Sequence, residues 1–187
     1  MKNIAIFASG KGTNAENIIK YFKASPSINV AVVISNNASA NVINRAKREN
    51  VNTLLINRDS FYKSNEIINT LKSLDVDLIV LAGFLWLIPE SLILSFPNKI
   101  INIHPALLPK FGGKNMYGMN VHEAVVEAKE KESGITIHYV NEKYDDGEII
   151  SQHTCNIGVK DTPEVVAQKI HQLELEFFPK IIEKILL

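Results

Sequence analysis

The chain has 187 residues, 46% of them hydrophobic, and its 20 Lys and Arg balance 20 Asp and Glu to a formal net charge of zero. That balance leaves no electrostatic footprint for nucleic acid or a membrane surface, and no apolar run approaches the ~18 residues of a membrane span. A single cysteine, Cys155, excludes an internal disulfide framework, so the expectation is one soluble, cytoplasmic domain over residues 1–187, able to bury its own core.

In chain order, Ile4–Ala8 is a short apolar run that predicts a buried strand. Ser9-Gly10-Lys11-Gly12-Thr13-Asn14 follows and opens a helix over Asn14–Phe22, whose apolar stripe is Ile18, Ile19 and Phe22. Glycines let such a loop come close to a ligand, and free N–H groups at a helix start bind anions. The loop lacks the upstream glycine of a Walker A motif. It does match G-x-G-x-x-A, but the second strand, Val30–Ile34, is followed by Ser35-Asn36-Asn37, without the acid a dinucleotide ribose wants. A phosphate monoester, a plain turn and a dinucleotide all remain readings of this loop.

A helix over Ala38–Glu49, a strand over Thr53–Ile56, a helix over Phe61–Leu74 and a strand over Leu78–Ala82 continue the alternation, which predicts right-handed βαβ units on a parallel sheet. Leu81-Ala82-Gly83-Phe84-Leu85-Trp86-Leu87-Ile88-Pro89 is either core packing or the wall of a pocket for a flat ligand. Lys99–Ile103 is a fifth strand, and Asn102 and His104 stand at its end, two residues apart and hence on one face. An amide donor beside a titratable imidazole suits acyl-transfer chemistry. The glycine-rich stretch Phe111–Gly118 is either a mere connection or, by its position just after the Asn102–His104 segment, a mobile lid.

Val121–Lys129 predicts a helix. Ile135–Val140 and Glu148–Cys155 predict an antiparallel strand pair joined through Asn141–Gly147, and Tyr144-Asp145-Asp146-Gly147 alone signals only a turn. Thr162-Pro163-Glu164 starts a last helix, which Pro179 is expected to end or kink near Phe178. His122, His138, His153 and His171 lack metal-ligand spacing, so no metal is expected; His138 and His153 read as structural strand residues.

The loop Gly10–Asn14, then Leu81-Ala82-Gly83-Phe84, then Asn102-Ile103-His104-Pro105-Ala106-Leu107-Leu108-Pro109, then His138-Tyr139-Val140 ahead of Asp145, resemble in order the phosphoribosylglycinamide formyltransferase family. The Asn-x-His-Pro segment is shared by folate-dependent formyltransferases, while the Gly-x-Gly-Thr-Asn loop narrows the resemblance to the purine enzyme and a formyltetrahydrofolate-hydrolysing relative. That relative carries an N-terminal regulatory domain, for which a first strand beginning at Asn3 leaves no room.

The resemblance implies a Rossmann-like open twisted sheet, mostly parallel, with an antiparallel pair in the C-terminal half. It implies nucleotide-phosphate binding in residues 1–100, and catalysis and folate binding in 101–187. It further implies transfer of a formyl group from 10-formyltetrahydrofolate to the amine of glycinamide ribonucleotide in purine biosynthesis. The partners are then small molecules, and the protein a monomer or homodimer. Asn102, His104 and Asp145 match the catalytic trio; Gly12, Thr13 and Asn14 the phosphate site; Glu174 the ribose-binding acid. Phe84, Leu85, Trp86, Leu87, Ile88, Asn141 and Asp145 match the folate pocket.

Two departures stand out. Trp86 replaces an Arg that many members place near the folate glutamate, and the loop Lys110–Asn120 is longer than the common form, although His122 still aligns with a family loop histidine. The rival readings are a formyltransferase for another amine, a nucleotide-binding module without activity, and a member that binds folate without turnover.

Overall fold

The computed structural model describes residues 1–187. All seven strands join one sheet in the order β3-β2-β1-β4-β5-β6-β7. Strands β1 (Lys2–Phe7), β2 (Ile28–Ser35), β3 (Thr53–Leu55), β4 (Val76–Leu81) and β5 (Ile100–His104) run parallel. β6 (Glu132–Tyr139) is antiparallel to both β5 and β7 (Ile149–Asn156), so the predicted antiparallel pair closes the sheet directly against β5.

The order reverses at β1, which lies between β2 and β4. That is the switch point outside which open α/β sheets bind ligands. β1 is buried on both faces. Ile4, Ile6 and Ala8 pack into one core and Ala5 and Phe7 into the other, as strand alternation requires.

Helices α1 (Thr13–Phe22), α2 (Asn41–Arg48), α6 (Met119–Glu127) and α7 (Pro163–Leu186) cover the first face. On α1 the stripe Ala15, Ile18, Ile19 and Phe22 is buried as its spacing demands; each fully buried Ile or Phe contributes roughly 1.5–3 kcal/mol. Helices α3 (Arg58–Tyr62), α4 (Glu66–Ser73) and α5 (Glu90–Ser95) cover the other face.

Two expectations about helices are corrected. The predicted helix Phe61–Leu74 is two helices. Asn57 and Ser60 form a capping box that starts α3 early, and the Ser64 hydroxyl takes the Ser60 carbonyl at 3.0 Å before α4 begins. The last helix does not end at Pro179 but runs through it to Leu186. Pro179 has no N–H for the Leu175 carbonyl, and the Asn17 side-chain amide of α1 donates to that oxygen instead, at 2.8 Å. α5 was not foreseen.

Candidate active site

Loops at the C-terminal ends of β1, β4 and β5 converge on one cavity of about 500 Å³, within the range of small-molecule sites. Among its lining residues are Asn14, Phe84, Leu85, Trp86, Leu87, Ile88, Asn102, His104, Asn141, Asp145 and Glu174. Of the residues expected at a site, only Gly12 and Thr13 are absent from its wall.

Asn102 and His104 leave β5 on the same face, as their spacing predicts. His104 is 3% exposed. Its Nε2 lies 2.8 Å from the Phe111 carbonyl oxygen and its Nδ1 3.4 Å from Asp145 Oδ2. Both ring nitrogens thus face acceptors, an arrangement that an imidazolium satisfies completely. Burial drives His104 below the ordinary histidine value, with the Asp145 carboxylate and the Phe111 carbonyl pulling the other way.

Asp145 sits in the turn between β6 and β7 at φ 54°, a left-handed conformation that Asp tolerates better than most residues. Burial alone would raise its carboxyl. His138, His104 and the Gly113 N–H, which donates to Oδ2 at 2.9 Å, outweigh that and hold it below the usual carboxylate range.

His138, read as a structural strand residue, is buried in β6 and also touches this cluster at the cavity wall. It lies directly opposite Asn102 in the β5–β6 register. Its Nδ1 lies 2.8 Å from the Tyr139 carbonyl oxygen and its Nε2 3.1 Å from Asn102 Nδ2. The other Asn102 amide hydrogen points toward Asp145 Oδ1 at the longer distance of 3.4 Å. The signal that finds His138 is the cross-strand pairing, which no local spacing carries.

Two residues further along the register, Thr136 is fully buried opposite His104. Its hydroxyl donates to the Ala106 carbonyl at 2.7 Å and accepts from Leu108 N at 3.0 Å and Gln152 Nε2 at 2.9 Å. The chain leaving His104 is therefore held by two hydrogen bonds to a single buried group, which Gln152 of β7 supports with a third.

At the other end of the cavity, α1 begins at Gly12, φ 74°, with no side chain capping it, so first-turn N–H groups are left for a ligand. A Cβ on Gly12 would lie 2.5 Å from Val42 Cβ, so the loop needs glycine there. Asn14 Nδ2 donates to Glu174 Oε2 at 2.9 Å, and His171 Nδ1 lies 3.2 Å from the same oxygen. Buried Asn14 Oδ1 and His122 Nδ1 have no partner within the protein. Burial lowers His122, with Glu174 partly offsetting it.

The apolar wall is the segment after β4. Phe84 and Trp86 pack with Phe61 of α3, and the Arg58 guanidinium lies 5.1 Å from the Trp86 ring centroid. Leu85 is half exposed, and Ser9 Oγ accepts from its N–H at 3.0 Å, tying this wall to the glycine loop. Gly113–Gly118 form the rim facing it. No group of three or more His, Cys, Asp and Glu is placed to hold a metal ion, and no helix is long and apolar enough to cross a membrane.

Residues 2–182 match the family model described as formyl transferase. The chain is 37% identical to the chloroplastic phosphoribosylglycinamide formyltransferase of Arabidopsis thaliana, covering 98% of this chain and 66% of that protein. It is also 37% identical to the phosphoribosylglycinamide formyltransferase of Bacillus subtilis, covering 100% and 95%. The chain spans less than two thirds of the length of the plant relatives, 60% for that of Vigna unguiculata. Among solved structures, glycinamide ribonucleotide transformylase 1 from Geobacillus kaustophilus superposes with a TM-score of 0.89 at 36% identity, over 100% of this chain and 99% of that one. Phosphoribosylglycinamide formyltransferase from Bacillus halodurans gives 0.87 at 37%, over 99% and 95%.

Proposed function

The chain belongs to the formyl transferase family, and on that premise we propose that it transfers the formyl group of 10-formyltetrahydrofolate to the amine of glycinamide ribonucleotide. The products are formylglycinamide ribonucleotide and tetrahydrofolate, in purine biosynthesis. The observation that carries this reading is the convergence of Asn102, His104 and Asp145 in one cavity, between the Asn14–Glu174 end and the apolar wall Phe84–Ile88.

The geometry supports the following roles. The nucleotide phosphate takes the free N–H groups of Gly12, Thr13 and Asn14 at the start of α1, and Glu174 accepts from the ribose hydroxyls. The folate lies along Phe84–Ile88 and the turn Asn141–Asp145, so the cavity draws its walls from both halves of the chain. The phosphate site lies before residue 100, and the reacting groups lie in residues 101–187.

The substrate amine attacks the formyl carbon and a tetrahedral oxyanion develops. Asn102 donates to it by giving up its long contact with Asp145, while His138 keeps the amide oriented. His104, held by Asp145, is the second donor. As negative charge builds beside it, the imidazolium becomes the favoured form. The proton lost by the attacking amine must reach N10 of the departing folate, and Asp145 with His104 is the route. Formyl carbon to N10 is the bond that breaks and formyl carbon to substrate nitrogen the bond that forms, with no net proton change.

The test is a formyl-transfer assay that follows folate absorbance with and without glycinamide ribonucleotide. Change that requires the nucleotide is the expected result. Change without it would make the protein a hydrolase, and no change with folate bound would mean another acceptor or binding alone.

A further inference from the structure

We propose that Arg45 is a positioning residue for the phosphate-binding loop: it holds the Lys11 carbonyl in place and keeps the Glu16 carboxylate from competing with the phosphate. The proposal rests on the phosphate site described above. Arg45 belongs to α2, not to the loop, and none of the motifs read from the sequence includes it.

Three consecutive loop residues are gripped by α2. Val42 N donates to the Gly10 carbonyl at 3.2 Å, Arg45 Nε donates to the Lys11 carbonyl at 2.9 Å, and Val42 fills the space beside Gly12. Gly12 has a left-handed backbone that no side chain of its own stabilises, so its conformation depends on what packs around it. The N–H groups of Gly12 to Asn14 can bind a phosphate only while those carbonyls are turned away from it. Arg45 does this at the middle of the three positions.

Glu16 gives the second half of the argument. It lies in the first turn of α1, where a carboxylate is drawn to the same positive helix end as a phosphate. Its side chain is 15% exposed, and the Arg45 guanidinium is bonded to it. Lys20 at 3.2 Å and Arg48 at 3.8 Å also face Glu16, but both are far more exposed and neither bonds to the loop. Arg45 alone joins the carboxylate and the loop backbone, through the planar fork that only a guanidinium has.

The probe is ribose 5-phosphate, whose binding to wild-type protein, Arg45→Met and Arg45→Lys is measured by calorimetry, with folate binding followed separately by fluorescence. Arg45→Met is expected to weaken ribose 5-phosphate by about tenfold, on the scale of one charge-assisted hydrogen bond. Folate binding stays within twofold. Arg45→Lys, which still pairs with Glu16 but loses the hold on Lys11, falls between, and adding Glu16→Gln to Arg45→Met recovers part of the loss. In the transfer assay the same variant should raise the nucleotide KM and leave kcat alone.

Ribose 5-phosphate binding within twofold of wild type in both Arg45 variants would overturn the proposal. So would equal weakening of both ligands, or no binding of the sugar phosphate by wild type. Should Arg45→Met not fold, Arg45→Lys decides by the same criteria. A wild-type protein that binds ribose 5-phosphate with this Arg45 dependence yet transfers no formyl group would defeat the functional reading and leave the Arg45 proposal standing.

Discussion

At one end of the cavity the groups proposed to hold the phosphate come from a single turn of chain, Gly10 to Asn14, between β1 and α1. At the other end Asn102, His104, His138 and Asp145 come from β5, β6 and the turn after β6, and meet only because those segments pair in one register. The first end relies on backbone N–H groups, whose direction follows from the conformation of the loop. The second relies on side-chain atoms of Asn102, His104, His138 and Asp145, whose contacts of 3.1–3.7 Å join residues of different strands and of the turn after β6. A single substitution should therefore act on affinity at the first end and on rate at the second.

Asp145→Asn is the strongest test of that division. Asn also tolerates the left-handed backbone, so the turn survives while the charge is lost. We expect kcat to fall at least ~10²-fold, the scale of general acid–base catalysis, with the nucleotide KM little changed. A nucleotide KM that rose in step would mean the two ends are not separable. His138→Leu follows, because it frees the Asn102 amide without touching the formyl carbon. A kcat loss of about tenfold at unchanged KM is expected, the size of a weakened rather than deleted oxyanion donor. Unchanged kcat would return His138 to a purely structural role.

Asn17→Ala tests the support behind the nucleotide end. It leaves the part-buried Leu175 carbonyl without a donor and should cost about 1 kcal/mol in denaturant unfolding. Pro179→Ala in the same chain returns an N–H to that carbonyl and should recover most of the loss. Failure of the second change to recover anything would mean the Asn17 contact is not what allows the helix to pass through proline.

The smallest effect concerns His122, which lies between the two ends. Its folded value is lowered, so the folded protein prefers it neutral and the unfolded chain takes up the proton first. The stability it contributes is complete above the unfolded value near pH 6.5 and is lost as pH falls below it. Asp145, with a depressed carboxyl, loses its contribution only at lower pH, as the medium approaches its folded value. His122→Gln should therefore lessen the loss of stability between pH 7.5 and 5.5 by up to about 1 kcal/mol, leaving the more acid limb unchanged. An identical pH profile for variant and wild type would remove His122 from the account.

What local pattern determines is considerable here. Short β-branched runs and 3.6-residue stripes placed β1 to β5 and the face of α1, because burial on both sides of a parallel sheet demands those runs. The i, i+2 spacing put Asn102 and His104 on one face because strand periodicity leaves no other choice. The motif order from Gly10 to Asp145 was enough for the family. The membership of His138, the passage of α7 through Pro179 and the hold of Arg45 on Lys11 were not legible. Each is a contact between segments distant in sequence: a cross-strand register, an amide from α1 on a carbonyl of α7, a guanidinium from α2 on a loop carbonyl. A histidine in a strand, a proline in a helix and an arginine on a helix surface carry the same local signal wherever they occur. Only packing, which sets what stands opposite each of them, decides whether they break structure, fill it or arrange a site.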